Sequence, residues 1–215
     1  MRAFSLILAG AAALSFASAA QAAVTITATP GTDPYSGPVP TYDFETPAPV
    51  TGGLVRTGSE SGVSAQPYGS TGNFWTVGPD DGTPGTLDLS SFGDIFNLSF
   101  IWGSVDDYNL LEVLDGGGNV IATFDGFDVA LPPNGDQVDP SKNPLVHLFF
   151  DGGDESLVAG LRLSSSQNAF EVDNFAINPV PEPGTWAMML LGFGAVGGAM
   201  RLRRRTSPRL LAQIG

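Results

Sequence analysis

Glycine and proline recur along the sequence from Ala23 to Val180, and the segments between them show no helical period. Neither residue sits comfortably inside a helix, and proline cannot donate to a central ladder. The runs that remain are short, with alternating or continuous apolar character, which is the pattern of strands. Strands are expected at Val24–Ala28, Thr41–Glu45, Phe74–Val77, Gly85–Asp88, Ile95–Trp102, Asn109–Leu114, Val120–Phe124, Pro144–Phe150, Leu157–Ser164 and Ala169–Ile177. The clearest hairpin is Leu110–Phe124, whose centre, Asp115–Asn119, holds residues that tolerate positive φ. Two long connections, Thr46–Gly72 and Gly126–Asn143, separate strand groups. The expected fold is all-β: a single β-sandwich or jelly-roll-like domain over residues 23–178.

That domain must hold itself together without disulfides, because the chain has no cysteine. Cysteine catalysis and thiolate metal sites are excluded with them. Between Ala23 and Val180 lie 21 acidic residues against three basic ones, Arg56, Lys142 and Arg162, for a net charge of −18. Such a surface repels nucleic acid, whose binding needs Lys and Arg at the phosphates. It leaves carboxylates free for cations such as calcium.

The two ends differ from this middle. Arg2, an apolar stretch Phe4–Phe16 and then Ala20-Gln21-Ala22 form the pattern of a signal peptide over residues 1–22, cut before Ala23. At the far end no charge occurs from Pro183 to Met200. At ~1.5 Å per residue a helix of that length is expected to cross a thin bilayer. Trp186 would sit at one rim, and Arg201, Arg203, Arg204 and Arg205 would hold the other end inside. Residues 206–215 then form a cytoplasmic tail.

Pro181-Glu182-Pro183, then Trp186-Ala187, an apolar stretch and the Arg cluster closely resemble the PEP-CTERM sorting signal in its PEP-x-x-W-A form, over residues 179–205. The resemblance implies processing by exosortase, a transpeptidase-like membrane enzyme of Gram-negative bacteria that make extracellular polysaccharide. Signal peptidase and exosortase are then the processing partners. The chain is held briefly at the inner membrane before it reaches the surface or the extracellular space. Phe100–Asn109, Phe170–Ile177 and Tyr42–Thr46 also resemble segments common in the ectodomains of such proteins, which implies a surface protein and no catalytic activity.

Three roles for the middle follow, and no catalytic residue is assigned. The first is a non-catalytic surface or matrix protein associated with exopolysaccharide or biofilm. The second is a carbohydrate-binding module for that polymer, with Trp75 and Tyr108 as the rings to test first among Trp75, Trp102, Tyr108, Tyr68 and Tyr35. The third is a glycoside hydrolase, which requires a cleft with two close carboxylates, one of raised pKa. His147 is the chain's one histidine; it alternates with apolar neighbours, and no nucleophile motif accompanies it. A structural calcium is considered at Glu45, Glu171, Asp173 and Asn174, polar residues near the first and last expected strands. Asp106-Asp107 and Asp151–Glu155 are further candidates that suit turns equally well, and Asp80-Asp81-Gly82 reads as a turn.

Overall fold

Alternation along the strands decides which side chains go inward. In Leu145–Asp151, Val146, Leu148 and Phe150 are fully buried, while His147 and Phe149 lie on the other face. In Val158–Ser165, Leu161 and Leu163 are buried and Arg162 faces out. The computed structural model describes residues 23–179, 190–196 and 200–201. It holds eleven strands: β1 Ala23–Thr29, β2 Val50–Thr51, β3 Leu54–Thr57, β4 Asn73–Val77, β5 Gly85–Asp88, β6 Ile95–Gly103, β7 Asn109–Asp115, β8 Val120–Asp125, β9 Leu145–Asp151, β10 Val158–Ser165 and β11 Phe170–Pro179.

These strands form two antiparallel sheets, in the orders β1-β9-β6-β11-β4-β3 and β2-β5-β10-β7-β8. Both contribute to one apolar core. Its centre is aromatic. The Trp102 ring stacks on Phe170 at 4.2 Å and Phe100 on Phe175 at 4.8 Å, with Phe44 set edge-on to Phe175 at 6.1 Å.

Three expectations are corrected. Both sheets are open, with β1 and β3 at the edges of one and β2 and β8 at the edges of the other. Among the described residues no closed sandwich, jelly roll or barrel forms. Thr41–Glu45 is not a strand. Tyr42 makes one isolated bridge to Phe175, and the left-handed backbone of Phe44, φ 58°, ends any extension. Among the described residues the expected membrane-crossing helix from Pro183 to Met200 is also not found, and its residues 183–189 and 197–199 lie outside them. Residues 190–196 and 200–201 are helical, but no helix among the described residues is long and apolar enough to cross a membrane. The signal-peptide segment lies outside the described residues.

Strands β2 and β3 arise inside Thr46–Gly72, a stretch expected to be a loop. They are short edges: Leu54 and Val55 remain 48% and 41% exposed, so no buried face marks them in the sequence. The turn between them uses Gly52 and Gly53 with φ of 70° and 64°, a conformation suited to glycine.

Candidate functional site

β11 carries the apolar–polar alternation that builds the site. Phe170 and Val172 point into the core, so Glu171 and Asp173 point to the opposite face of the six-stranded sheet. That face would ordinarily be wet. Here loops cover it, and Glu171 and Asp173 are 2% and 1% exposed. The Glu171 carboxylate accepts from Ala65 N–H at 2.8 Å and from Ser104 Oγ at 2.8 Å. Burial pushes its pKa up to about 7, against the pull of those two hydrogen bonds. Asp173 Oδ1 accepts from Asn174 N–H at 2.7 Å, while Oδ2 has no hydrogen-bond partner. Burial raises its pKa to about 7, and Asp43 and Glu45 push the same way. The Ser70 hydroxyl faces this carboxyl and pulls it down, without reaching hydrogen-bond geometry.

Glu171 forms one wall of a cleft of about 250 Å³. Ser104, Asp106 and Tyr108 enter from the loop after β6, and Asn168 from the loop before β11. Tyr108 Oη donates to Asp106 Oδ2 at 2.6 Å and lies 3.2 Å from the Asn168 carbonyl. Burial raises the Tyr108 pKa, and the Asp106 hydrogen bond adds to it. Burial likewise raises Asp106, and the Tyr108 hydroxyl partly offsets that. The remaining wall comes from residues 60–65 and from Asn134, Gly135 and Gln137. Gly135 has φ 67°, a conformation that favours glycine, and a Cβ there would sit 2.6 Å from an Asp106 oxygen, so a larger residue would displace that carboxyl.

Three asparagines hold these loops in place. Asn143 is fully buried. Its Oδ1 accepts from Ser104 N–H at 2.8 Å and Tyr68 N–H at 3.2 Å, and its Nδ2 donates to the carbonyls of Asp136 at 2.9 Å and Asp139 at 3.0 Å. Asn109 Oδ1 accepts from Asp106 N–H at 3.0 Å and Trp102 Nε1 at 3.4 Å. Its Nδ2 donates to Ser165 Oγ at 3.0 Å and the Ala169 carbonyl at 3.1 Å. Asn168 ties the Asp80 turn to the Gly62 carbonyl. Ser104 sits at φ 35°, an uncommon conformation for a residue with a Cβ, and Asn143 holds its backbone there.

The residues singled out in the sequence fall in different places. Tyr108 lines the cleft, half-buried. Trp75 is wholly buried against Phe44 and donates from Nε1 to the Gly52 carbonyl at 3.1 Å, so it offers no ring face to a ligand. Trp102 is in the core. Tyr35 donates to the Pro38 carbonyl at 2.8 Å, and burial, with Asp173 nearby, raises its pKa to about 12. The four residues considered for calcium do not form a metal-holding group, although Glu45 is close enough to Asp173 to raise its pKa. Glu171 turns into the cleft. Glu45 accepts from Asn73 N–H at 2.6 Å. Asn174 is buried, with φ 56°. Among the described residues no group of three or more His, Asp or Glu side chains is placed to hold a metal ion. Asp107 is exposed, Asp154 begins a short 3₁₀ turn, and Asp81 accepts from Arg56 Nε at 3.0 Å. The His147 ring lies against Phe149, and burial lowers its pKa.

Glu171 and Asp106 are two carboxyls in one cleft, the arrangement that a hydrolase would require. Acid–base pairs work by having their pKa values pushed apart. Here burial pushes both in the same direction, and each is tied to a neutral hydroxyl.

The strongest assignment comes from beyond this cleft. Residues 179–205 match the family model for the PEP-CTERM protein-sorting motif. The chain carries a PEP-CTERM sorting signal. No curated protein and no solved structure matches the chain. The PEP-CTERM match begins at residue 179, where β11 ends, so the motif follows the sheet and is not built into it. A PEP-CTERM motif implies export and exosortase-linked surface localisation, and it is a sorting element with no catalytic function. The chain has no cysteine, and no metal-binding cluster occurs among the described residues. Pro181, Glu182, Pro183, Trp186, Ala187, Arg203, Arg204 and Arg205 lie outside the described residues, as do Ala20 and Ala22 of the expected cleavage site. Ala23 opens β1, and Arg201 closes the last described helical residues, exposed.

Proposed function

We propose that this chain is an exported, non-catalytic surface or matrix protein, processed at both ends and associated with exopolysaccharide. The observation that carries the reading is the PEP-CTERM match over residues 179–205. In this reading signal peptidase removes residues 1–22 and β1 begins the mature chain at Ala23. The unit over residues 23–178 is the cargo. The sorting segment holds it briefly at the inner membrane until exosortase acts near Pro181-Glu182-Pro183, and residues 206–215 leave with the tail. The attachment point supports this order of events. β11 lies between β6 and β4, and the motif starts only at its end, so processing removes no partner from the sheet. The strong negative charge keeps such a cargo soluble outside the cell.

The test is fractionation of the producing cells. The native chain is expected at the surface or in the medium. Replacing Pro181, Glu182 and Pro183 together by alanine, or deleting the exosortase, is expected to leave an unprocessed chain in the inner-membrane fraction. Equal release of both forms would contradict the reading.

A further inference from the structure

The chemistry of the cleft lining restricts what can enter it. No Lys or Arg borders it, and its lining is almost wholly polar. Phosphate, sulfate and uronate groups would meet the carboxyls of Asp106 and Glu171, while Glu60, the third acid of the lining, is already paired with Arg56. A bare cation fares little better. Among the described residues no group of three or more His, Asp or Glu side chains is placed to hold a metal ion. Glu171 is also held by a backbone N–H and a serine hydroxyl, and in its buried place it keeps its proton up to about pH 7.

A neutral polyhydroxyl compound is the opposite case. Each of its hydroxyls both donates and accepts, so it pairs with carboxylates and with amides. The lining supplies both kinds, and the exposed amides of Asn134 and Gln137 are free to exchange solvent for a ligand. The side chains of Asn134 and Gln137 make no hydrogen bond within the described residues, and both border the cleft. Ser64, in the same wall, is 7% exposed, and its Oγ has no hydrogen-bond partner. A buried hydroxyl without a partner costs free energy, which is recovered where a ligand supplies one. The volume, about 250 Å³, is below the roughly 300–1,000 Å³ of sites for drug-sized ligands and suits one small ring with its neighbours outside.

We propose that the cleft bordered by Ser64, Asp106, Asn134, Gln137 and Glu171 binds a single uncharged sugar residue of a polysaccharide. The proposal rests on the surface reading only for where the ligand is met. It requires nothing of the sorting step.

Binding is measured by calorimetry on the purified full chain in detergent, so that failed sorting and failed binding remain separate results. The probes are a neutral glucan, mannan and galactan, a polyuronate, and calcium chloride alone. At least one neutral polymer is expected to bind, and the polyuronate and calcium are not. Replacing Asn134 and Gln137 together by alanine is expected to weaken that binding at least tenfold with an unchanged melting temperature, since neither side chain supports the fold. Ser64→Ala, which removes a hydroxyl without a partner, is expected to weaken binding without lowering the melting temperature. Binding of no neutral polymer, saturation by calcium alone, preference for the polyuronate, or neutral binding unaltered in both variants would each overturn the proposal.

Discussion

Glu171 and Asp173 are buried where carboxyls are costly, and that cost has a definite pH dependence. Their ordinary values are 4.5 and 3.8, and both rise to about 7 in the folded chain. Between about pH 4 and about pH 7 the folded chain therefore holds more protons than the unfolded one, so stability falls as pH rises through that window. The full effect is on the order of 3 kcal/mol for each group. Asp106 faces Glu171, and Asp43 and Glu45 face Asp173, all reinforcing the shift. Glu171→Gln keeps an acceptor for Ala65 N–H and removes the charge. Thermal melts should show the variant more stable than the native chain at pH 8, by roughly 2 kcal/mol, and nearly equal at pH 5. Equal behaviour at both values would mean that the carboxyl is not buried as described. Asn143 gives the complementary prediction. Asn143→Ala leaves the buried Ser104 N–H and the partly buried carbonyl bonds to Asp136 and Asp139 without their partner and should cost roughly 3 kcal/mol by denaturant unfolding. A loss below about 1 kcal/mol would remove its role as the tie between loops.

At the scale of elements, position in the sheet sets stability. β6 and β11 are interior strands of the six-stranded sheet, whereas β2 has two residues and β3 lies at an edge. Amides of β6 and β11 should exchange with solvent slowest, and those of β2 and β3 first. The reverse order in hydrogen exchange would contradict the topology. The strands that could be read from the sequence are those whose alternation follows a buried face, such as β9, and those framed by turn chemistry, such as β7 and β8 around Asp115–Asn119. β2 and β3 escaped because Leu54 and Val55 stay exposed and no period separates them from a loop. The polar residues that interrupt β11 were legible as unusual, but their destination was not. Glu171 meets Ala65, 106 positions away, and such a bond leaves no local pattern. The asparagine ties are hidden for the same reason: Asn143 reaches Ser104 and Tyr68 across 39 and 75 positions. Trp75 follows a glycine-rich loop in the sequence and so resembled an exposed ring. Its burial depends on Phe44 and the Gly52 carbonyl, both far from it along the chain.

For the whole molecule, the two sheets and the sorting segment are separate in sequence and in task. The last strand, β11, ends where the PEP-CTERM match begins, at residue 179, and the cleft borders the opposite end of β11, at Ala169 and Glu171. Sorting and ligand binding can therefore fail independently, and a chain that loses its tail should keep its melting temperature. The central claim is that this protein is exported and cut at both ends. Intact-mass spectrometry of the mature protein from producing cells tests it most directly. The account predicts a chain that starts at Ala23 and lacks everything after Pro183. A mature chain that still carries Arg201, Arg203, Arg204 and Arg205 would contradict it.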